Sequence, residues 1–394
     1  MPDITVQFDT QNAFIADSTE NDTNFIAGFI SNNGLVYELG NTNEREQGYI
    51  DIQGSRNWYG RLTDNNFSGP TGGWSGEFFA VNNCLQYGTR IIICGTGENQ
   101  NTTSPIQTMK SPDLLVSAIF GAKVDDNKDL IGIASERQDC VAVCAIGVTQ
   151  DIGTDITRVD APLTTDGDKY TFYVAGSKYH LKDNSLALIT PEVGELQLTP
   201  LTADAVGCFA RTSATTEPWS SPAGLSRGRI LSVVRLEQVL TKSSSDTLYA
   251  NKINPTLTLP GEGTFLFGDK THYQADTENS NFAHVNVTNL IIYMNRVIGN
   301  VALEFLFELN DEANRSAFLA RVTPILRRIL NSGGITEFSI VCDETNNTPS
   351  VISAGNFVAD VLVKPAKSIQ SIQLRFTNVP ETQSIIDGSP ENEA

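Results

Sequence analysis

Residues 141–148 read Val-Ala-Val-Cys-Ala-Ile-Gly-Val, and with Cys140 they form the longest apolar run in the chain. An uncharged stretch of this kind belongs inside a folded body, and its length suits a core strand. It falls far short of the ~20 apolar residues of a membrane helix, so no membrane insertion is expected. Thr89–Cys94 reads as a second buried strand, with Tyr170–Ala175 and Ser185–Thr190 as further strands. Phe25–Leu39 reads as a strand and a turn around Asn32-Asn33-Gly34. Gly76–Tyr87 suits a helix, and Ser111-Pro112-Asp113 is a helix start for Leu114–Phe120. The first half is therefore a mixture of strands and helices.

The second half holds the clearest helix, 311–331. Asn310 or Asp311 can cap it, and the acidic start suits the positive end of the helix. Phe318, Val322, Ile325 and Ile329 make one apolar face, while Arg321 and Arg328 lie on a flank of the polar side. Gly333-Gly334 ends the helix, and Pro324 is expected to kink or split it. Asn289–Val301 also reads as a helix, and Arg227–Leu240 fits either a strand or a helix. Glu337–Cys342 and Phe357–Val363 read as strands around a polar turn, 343–349. Two one-faced strands stand at the ends of the chain. Ile4, Val6 and Phe8 alternate with polar residues near the start, and Ile372, Leu374 and Phe376 do so near the end.

Charge and chemistry exclude several functions. The 394 residues carry 27 Lys and Arg against 46 Asp and Glu, a net charge of -19. Phosphate contacts need clustered cations, so nucleic acid is not an expected partner. The first residues lack a basic and then apolar leader, so secretion is not expected. The six cysteines, at 84, 94, 140, 144, 208 and 342, show no metal-ligand spacing and read as free buried thiols. His180, His272 and His284 belong to no catalytic motif. Gly73-Trp74-Ser75-Gly76 misses nucleophile-elbow spacing by one residue. Gly268-Asp269-Lys270-Thr271 misses the phosphate-loop pattern and puts a carboxylate where phosphates would lie. No catalytic residue, cofactor-binding residue or metal ligand is assigned, and the chain reads as a structural or binding protein rather than an enzyme.

Five segments in order carry a resemblance. They are Trp219-Ser220-Ser221-Pro222-Ala223-Gly224-Leu225-Ser226-Arg227-Gly228-Arg229, then Leu248-Tyr249 with Ile253-Asn254-Pro255, then Gly261-Glu262-Gly263 through Gly268-Asp269-Lys270-Thr271. Phe307-Glu308-Leu309-Asn310-Asp311-Glu312 follows, and last comes Gly333-Gly334 through Asp343-Glu344-Thr345-Asn346-Asn347. Together they resemble the core of contractile phage tail sheath proteins of the T4 type, over residues 207–378. The match is weaker before 207. At Asn286-Val287-Thr288-Asn289 the chain lacks the paired arginines common in that family.

The resemblance implies an α+β fold of several domains: an N-terminal arm at 1–15, a mixed α/β domain at 16–206, an α/β sheath core at 207–378 and an acidic tail at 379–394. It implies a subunit that stacks as hexameric rings around a tail tube and contracts to drive that tube through a host envelope. The partners implied are further copies of the chain, the tail tube protein, and baseplate and tail terminator proteins, with no cofactor. The place implied is the virion tail, assembled in the host cytoplasm. The arms carrying Ile4, Val6, Phe8, Ile372, Leu374 and Phe376 are expected to add strands to a neighbour's sheet. At ~3.3 Å per residue each arm strand is roughly 20 Å long. Arg321 and Arg328 are the tube-facing candidates. A bacterial contractile injection system or tailocin sheath is the alternative, and a receptor-binding tail protein or carbohydrate-active enzyme a remote one.

The charge is unevenly spread. Residues 1–206 hold 12 basic and 27 acidic groups, 207–380 hold 15 of each, and the last 14 residues hold four acids and no base. This distribution points to an acidic, solvated exterior around a neutral core.

Overall fold

An uncharged strand buried on both faces needs hydrogen-bonding neighbours on both edges. The computed structural model describes residues 25–31, 42–47, 49–53, 76–95, 104–148, 155–156, 167–181, 196–273 and 281–368, with the backbone of 385–386 and 389–390. In it, β5 (Val141–Ile146) is buried at all six residues and is flanked by β4 (Ala118–Phe120) and β6 (Thr171–Ala175). The sheet continues from β4 through β1 (Ile26–Ile30) to β3 (Arg90–Cys94), all pairings so far being parallel. β2 (Tyr49–Gln53) closes one edge antiparallel to β3. β10 (Ile253–Asn254) closes the other edge, parallel to β6. The second half of the chain thus supplies one strand of the sheet that the first half builds.

Helices cover this sheet. They are α1 (Thr42–Gln47), α2 (Gly76–Leu85), α3 (Pro105–Lys110), α4 (Asn127–Arg137) and α5 (Thr202–Thr215). The helix expected over 114–120 is not formed. The helix lies earlier, with Pro105 in its first turn, and Ala118–Phe120 is a buried strand because parallel neighbours stand on both its sides. A second, three-stranded sheet joins β7 (Ser177–Leu181) to β8 (Leu196–Pro200) and to β9 (Arg235–Leu236). Residues 227–240 are neither one strand nor one helix: the short α6 (Gly224–Arg227) leads into irregular chain and then β9. The expected boundary at 206/207 lies inside α5, whose Gly207 sits against Tyr87; a Cβ there would come within 2.2 Å of the ring.

After α7 (Lys242–Ala250), the hairpin β11 (Thr256–Leu259) and β12 (Gly263–Leu266) precedes α8 (Val285–Leu303). Helix α8 is a shared wall. Its Val285 and Ile292 pack into the large core, and its Val287, Leu290, Met294 and Ile298 pack into a second one. The second core is completed by α9 (Glu312–Asn331) and the antiparallel pair β13 (Ile335–Val341) and β14 (Asp360–Pro365), with α10 (Pro349–Ser353) between the strands. A last hairpin pairs β15 (Ile385–Ile386) with β16 (Ser389–Pro390). Asp311 caps α9 by accepting the amide of Asn314 at 2.8 Å. Helix α9 runs through Pro324 without a break. Pro324 stands on the exposed side, where water can take the carbonyl it leaves unpaired. Leu326, fully buried, fills the core position expected of Ile325.

One buried ion pair joins three elements. Lys178 of β7 and Asp204 of α5 are both fully buried and meet at 2.7 Å. Tyr87, just past α2, donates to Asp204 at 2.8 Å. Burial, and then the Asp204 carboxylate, push the Tyr87 phenol well above its ordinary range. Lys178→Met is expected to cost about 3–5 kcal/mol, because the carboxylate stays buried without its cation. Adding Asp204→Leu should recover most of that loss, and urea unfolding midpoints of the two variants check it. All six cysteines are free and buried. Burial pushes Cys94, Cys140 and Cys208 up to about 12 and Cys342 up to about 11, and raises Cys84 as well. At pH 8 these groups are protonated and sheltered. A maleimide should therefore label none in the native protein and all six in urea, with Cys342 reacting first as urea is raised.

Candidate assembly surface

The glycine- and arginine-bearing motif forms a strap across α5. Arg211 of α5 donates to the carbonyl of Arg227 and, at 2.7 Å, to that of Arg229. Lys178 donates to Leu231 O at 2.7 Å, and the Leu231 amide donates to the Tyr87 hydroxyl at 2.9 Å. On its other side the strap pairs with β12: Leu266 N donates to Gly228 O and Ile230 N to Thr264 O, at 2.7 and 2.8 Å. A Cβ on Gly228 would lie 2.6 Å from Leu266 O, so only glycine fits. Buried Pro222 precedes Gly224, whose φ of +92° is left-handed, and Arg227 closes the turn onto Ser221 O at 2.6 Å. The guanidinium groups of Arg211 and Arg227 thus engage backbone carbonyls and hold the strap together.

The second motif is also architectural. Asn254 on β10 donates to Tyr173 O at 2.9 Å and Lys270 O at 2.8 Å, and accepts the Lys270 amide at 2.9 Å. Gly268 packs so close that a Cβ would lie 2.6 Å from the Asn254 amide oxygen. Gly261 and Gly263 turn the β11–β12 hairpin with φ of +82° and +110°. Thr271 donates to Phe282 O. Asp269 accepts from Ser368 Oγ at 2.5 Å and lies 3.6 Å from His284 Nδ1. The carboxylate stands between hydroxyl and imidazole, whereas a nucleophilic triad needs the imidazole in the middle. Burial, and then the nearby Lys252, lower the His272 pKa to about 4, and burial lowers that of His180. No cluster of His, Cys, Asp or Glu fit for a metal occurs among the described residues.

Around the second core, an asparagine network ties the turn after β13 to the start of α9. Asn310 donates to Asn347 Oδ1 at 2.9 Å and to Asn356 O at 2.8 Å, and Arg315 donates to Asn310 Oδ1 at 2.9 Å. Asn347 exchanges two bonds with the backbone of Val358, at 2.7 and 2.9 Å. Asn346 donates to Val341 O at 2.7 Å and to Asp360 at 3.0 Å. Asp343 accepts the amide and hydroxyl of Thr345. Gly334 is required by close approach: a Cβ would meet the Trp219 indole nitrogen and Ile329 at 2.8 Å. Trp219 also packs edge-on against Tyr293 of α8. The polar residues that look like a site in the sequence therefore satisfy one another.

What remains outward is a surface. Among the described residues, β13 and β14 pair only with each other. Phe338, Ile340, Val361 and Val363 face the second core, while Leu362 on the opposite face is 62% exposed. An antiparallel pair of this kind offers two open edges. The chain leaving β14 is fastened at its base: Ala366 N donates to Gly334 O at 3.0 Å, Asn286 donates to Ala366 O at 3.1 Å, and Ser368 donates to Asp269. The end-strand residues Ile4, Val6, Phe8, Ile372, Leu374 and Phe376 lie outside the described residues, as do 182–195. Helix α9 presents Ala313, Ala317, Ala320, Pro324, Arg327 and Asn331 outward. Arg321 and Arg328 flank that stripe with more than half of each side chain exposed. Arg321 pairs with Glu304, and Arg328 lies 3.7 Å from Glu217.

Residues 277–377 match the family described as the phage tail sheath C-terminal domain. The tail sheath protein of Vibrio phage KVP40 is 44% identical over 177 residues, which are 45% of this chain and 26% of that protein. The tail sheath protein of Enterobacteria phage T4 is 36% identical over 308 residues, 76% of this chain and 43% of that protein. The chain thus spans less than half the length of the curated relatives it matches. The PVC sheath complex of an extracellular contractile injection system, solved in the contracted state, has a TM-score of 0.72 at 15% identity, covering 97% of this chain and 99% of that one. At that identity the likeness is one of fold: the mixed helix-and-sheet fold described above is that of a contractile sheath.

Proposed function

The chain carries the phage tail sheath C-terminal domain, and from that premise we propose that it is the structural subunit of a contractile phage tail sheath, polymerising as stacked hexameric rings around a tail tube. The observation that carries this reading is the open β13–β14 pair, packed on one face by a core and fastened at the point where the C-terminal segment departs. Two strands alone are a marginal sheet, and strands added to their free edges satisfy the backbone groups there. The arms at 1–15 and after 368 supply such strands to neighbouring copies, through Ile4, Val6 and Phe8 and through Ile372, Leu374 and Phe376. They keep subunits linked while the rigid bodies rotate and repack, so that contraction from a metastable lattice to a more stable one moves the tube with no nucleotide. Tube, baseplate and terminator proteins are the partners in this reading, and its place is the virion tail.

An injection-system sheath is the second reading, favoured by the likeness over 97% of the chain to the PVC sheath. Identities of 36% and 44% to phage sheaths against 15% to that structure put the phage reading first.

Helix α9 is the tube-facing element in this proposal. Arg321 and Arg328, on the flank of the outward stripe, meet acids of the tube in competition with Glu304 and Glu217. Single exposed pairs contribute under ~1 kcal/mol, so the effect comes from repetition along the polymer.

Purified protein viewed by negative-stain microscopy should form long hollow tubes; discrete monomers or trimers would sink the reading. Deleting residues 1–15 should abolish tubes and leave a monomer with an unchanged melting curve. Arg321→Glu combined with Arg328→Glu should reduce co-sedimentation with isolated tail tubes, and unchanged co-sedimentation would remove α9 from the tube face.

A further inference from the structure

The link between α8 and α9 presents apolar side chains to water. Phe307 is 83% exposed and Leu309 is 75% exposed. The backbone of Phe307 is left-handed, with φ of +71°, a conformation costly for an aromatic residue. This knuckle is held firmly: Asn310 bonds to Asn347 and Asn356, and Asn314 donates to Leu309 O at 2.8 Å. Glu308, Asp311 and Glu312 are exposed around it, so the knuckle is apolar at its tip and acidic at its rim.

The opposite end of the same helix has complementary chemistry. A shallow hollow there is lined by Pro324, Arg327, Arg328, Asn331 and Ser332. Arg327 is exposed. Pro324, Arg327 and Asn331 form a stripe turned about 80° around the axis from Arg321 and Arg328, at 3.6 residues per turn. The hollow is therefore turned away from Arg321 and takes only Arg328, at its edge, from the pair assigned to the tube. From Glu312, at the start of α9, to Arg327 is fifteen residues, about 22 Å along the axis.

We infer that the Phe307–Leu309 knuckle of one subunit seats in the Pro324–Arg327 hollow of a second copy, with Glu308 facing Arg327. The inference rests on the self-assembling sheath reading and names one contact within it. Phe307 covers Pro324 and the guanidinium plane, an arrangement that favours an aromatic ring over a cation. Knob and hollow lie on different parts of one surface, so the contact is heterologous and propagates from copy to copy as a ring or helical row. A tube protein is the competing occupant, but the tube would have to supply the basic hollow, whereas this chain already carries one.

The test is a charge exchange. Glu308→Arg alone and Arg327→Glu alone should each raise the protein concentration needed for tubes about tenfold. The two together should restore tube formation toward the original concentration. As a second measurement, Leu309→Cys with Arg327→Cys should give a disulfide-linked ladder in oxidised tubes and none with either single variant; the native thiols are buried and give a clean background. If the unaltered protein forms no tubes, the sheath reading fails and the inference falls with it. If tubes form but the exchanged pair shows no rescue and the paired cysteines no ladder, the sheath reading stands and this contact is overturned. If sheath tubes form normally in both single variants while binding to isolated tail tubes is lost, the knuckle serves the tube, and the contact between copies is overturned as well.

Discussion

The strap from Arg227 to Leu231 is the constraint on which the rest of the fold depends. It runs between α5 and the β11–β12 hairpin, and its carbonyls accept from Arg211, Lys178 and the Leu266 amide. Buried backbone groups must find partners, and here cations from β7 and α5 supply them. Asp204 holds Lys178 in place, and Tyr87 bridges Asp204 to the strap amide. Removing any of these groups leaves another buried without a partner, so the cluster acts as a unit. It welds the parallel sheet to the chain that leads on to α8, and α8 carries the second core. Rigid coupling of this kind suits a body that moves as a whole when its neighbours shift.

Local pattern made some of this legible, and long-range pairing hid the rest. Asp311 followed by Glu312 marks a helix start, and apolar residues at 318, 322 and 329 mark its buried face; these signals are confined to one element and read correctly. The run 141–148 showed its burial for the same reason. Ser111-Pro112-Asp113 misled because capping chemistry is shared by turns and helix starts, and the β-strand after it is set by parallel partners far away in the chain. The two-residue β10 has no periodicity at all, yet Ile253 and Asn254 complete the sheet of the first half. Pro324 carries an intrinsic helix penalty, which an exposed helix face can absorb through water. The asparagines at 310, 346 and 347 stood out as motif residues, but only their geometry shows that they bond to one another and to nearby backbone.

The contrast between the two cores bears on assembly. The large core surrounds a sheet of seven strands that runs from β10 to β2. The smaller one relies on two helices and a two-stranded sheet. A small core buries less of its surface and is correspondingly less able to stand alone. The neutral charge balance of residues 207–380 fits with this arrangement, since a body carrying 15 groups of each sign can approach copies of itself without net repulsion. The acidity of residues 1–206 would oppose close approach if that half were the interface, so packing through the second half is the electrostatically favoured order.

Phe307 makes the same point on the scale of one residue. A left-handed backbone costs a residue of this type on the order of 1–3 kcal/mol, and a ring exposed to water has no burial to offset that cost. The asparagine bonds at 310 and 314 over-determine the link, so the strain persists rather than relaxing. A free subunit thus holds the most exposed aromatic side chain among the described residues in a fixed, unfavourable pose. Burial on association returns free energy that the monomer lacks, and because the side chain is already positioned, little further ordering is lost when it docks. An aromatic ring held out in water by the monomer and covered in a polymer biases a chain toward assembly.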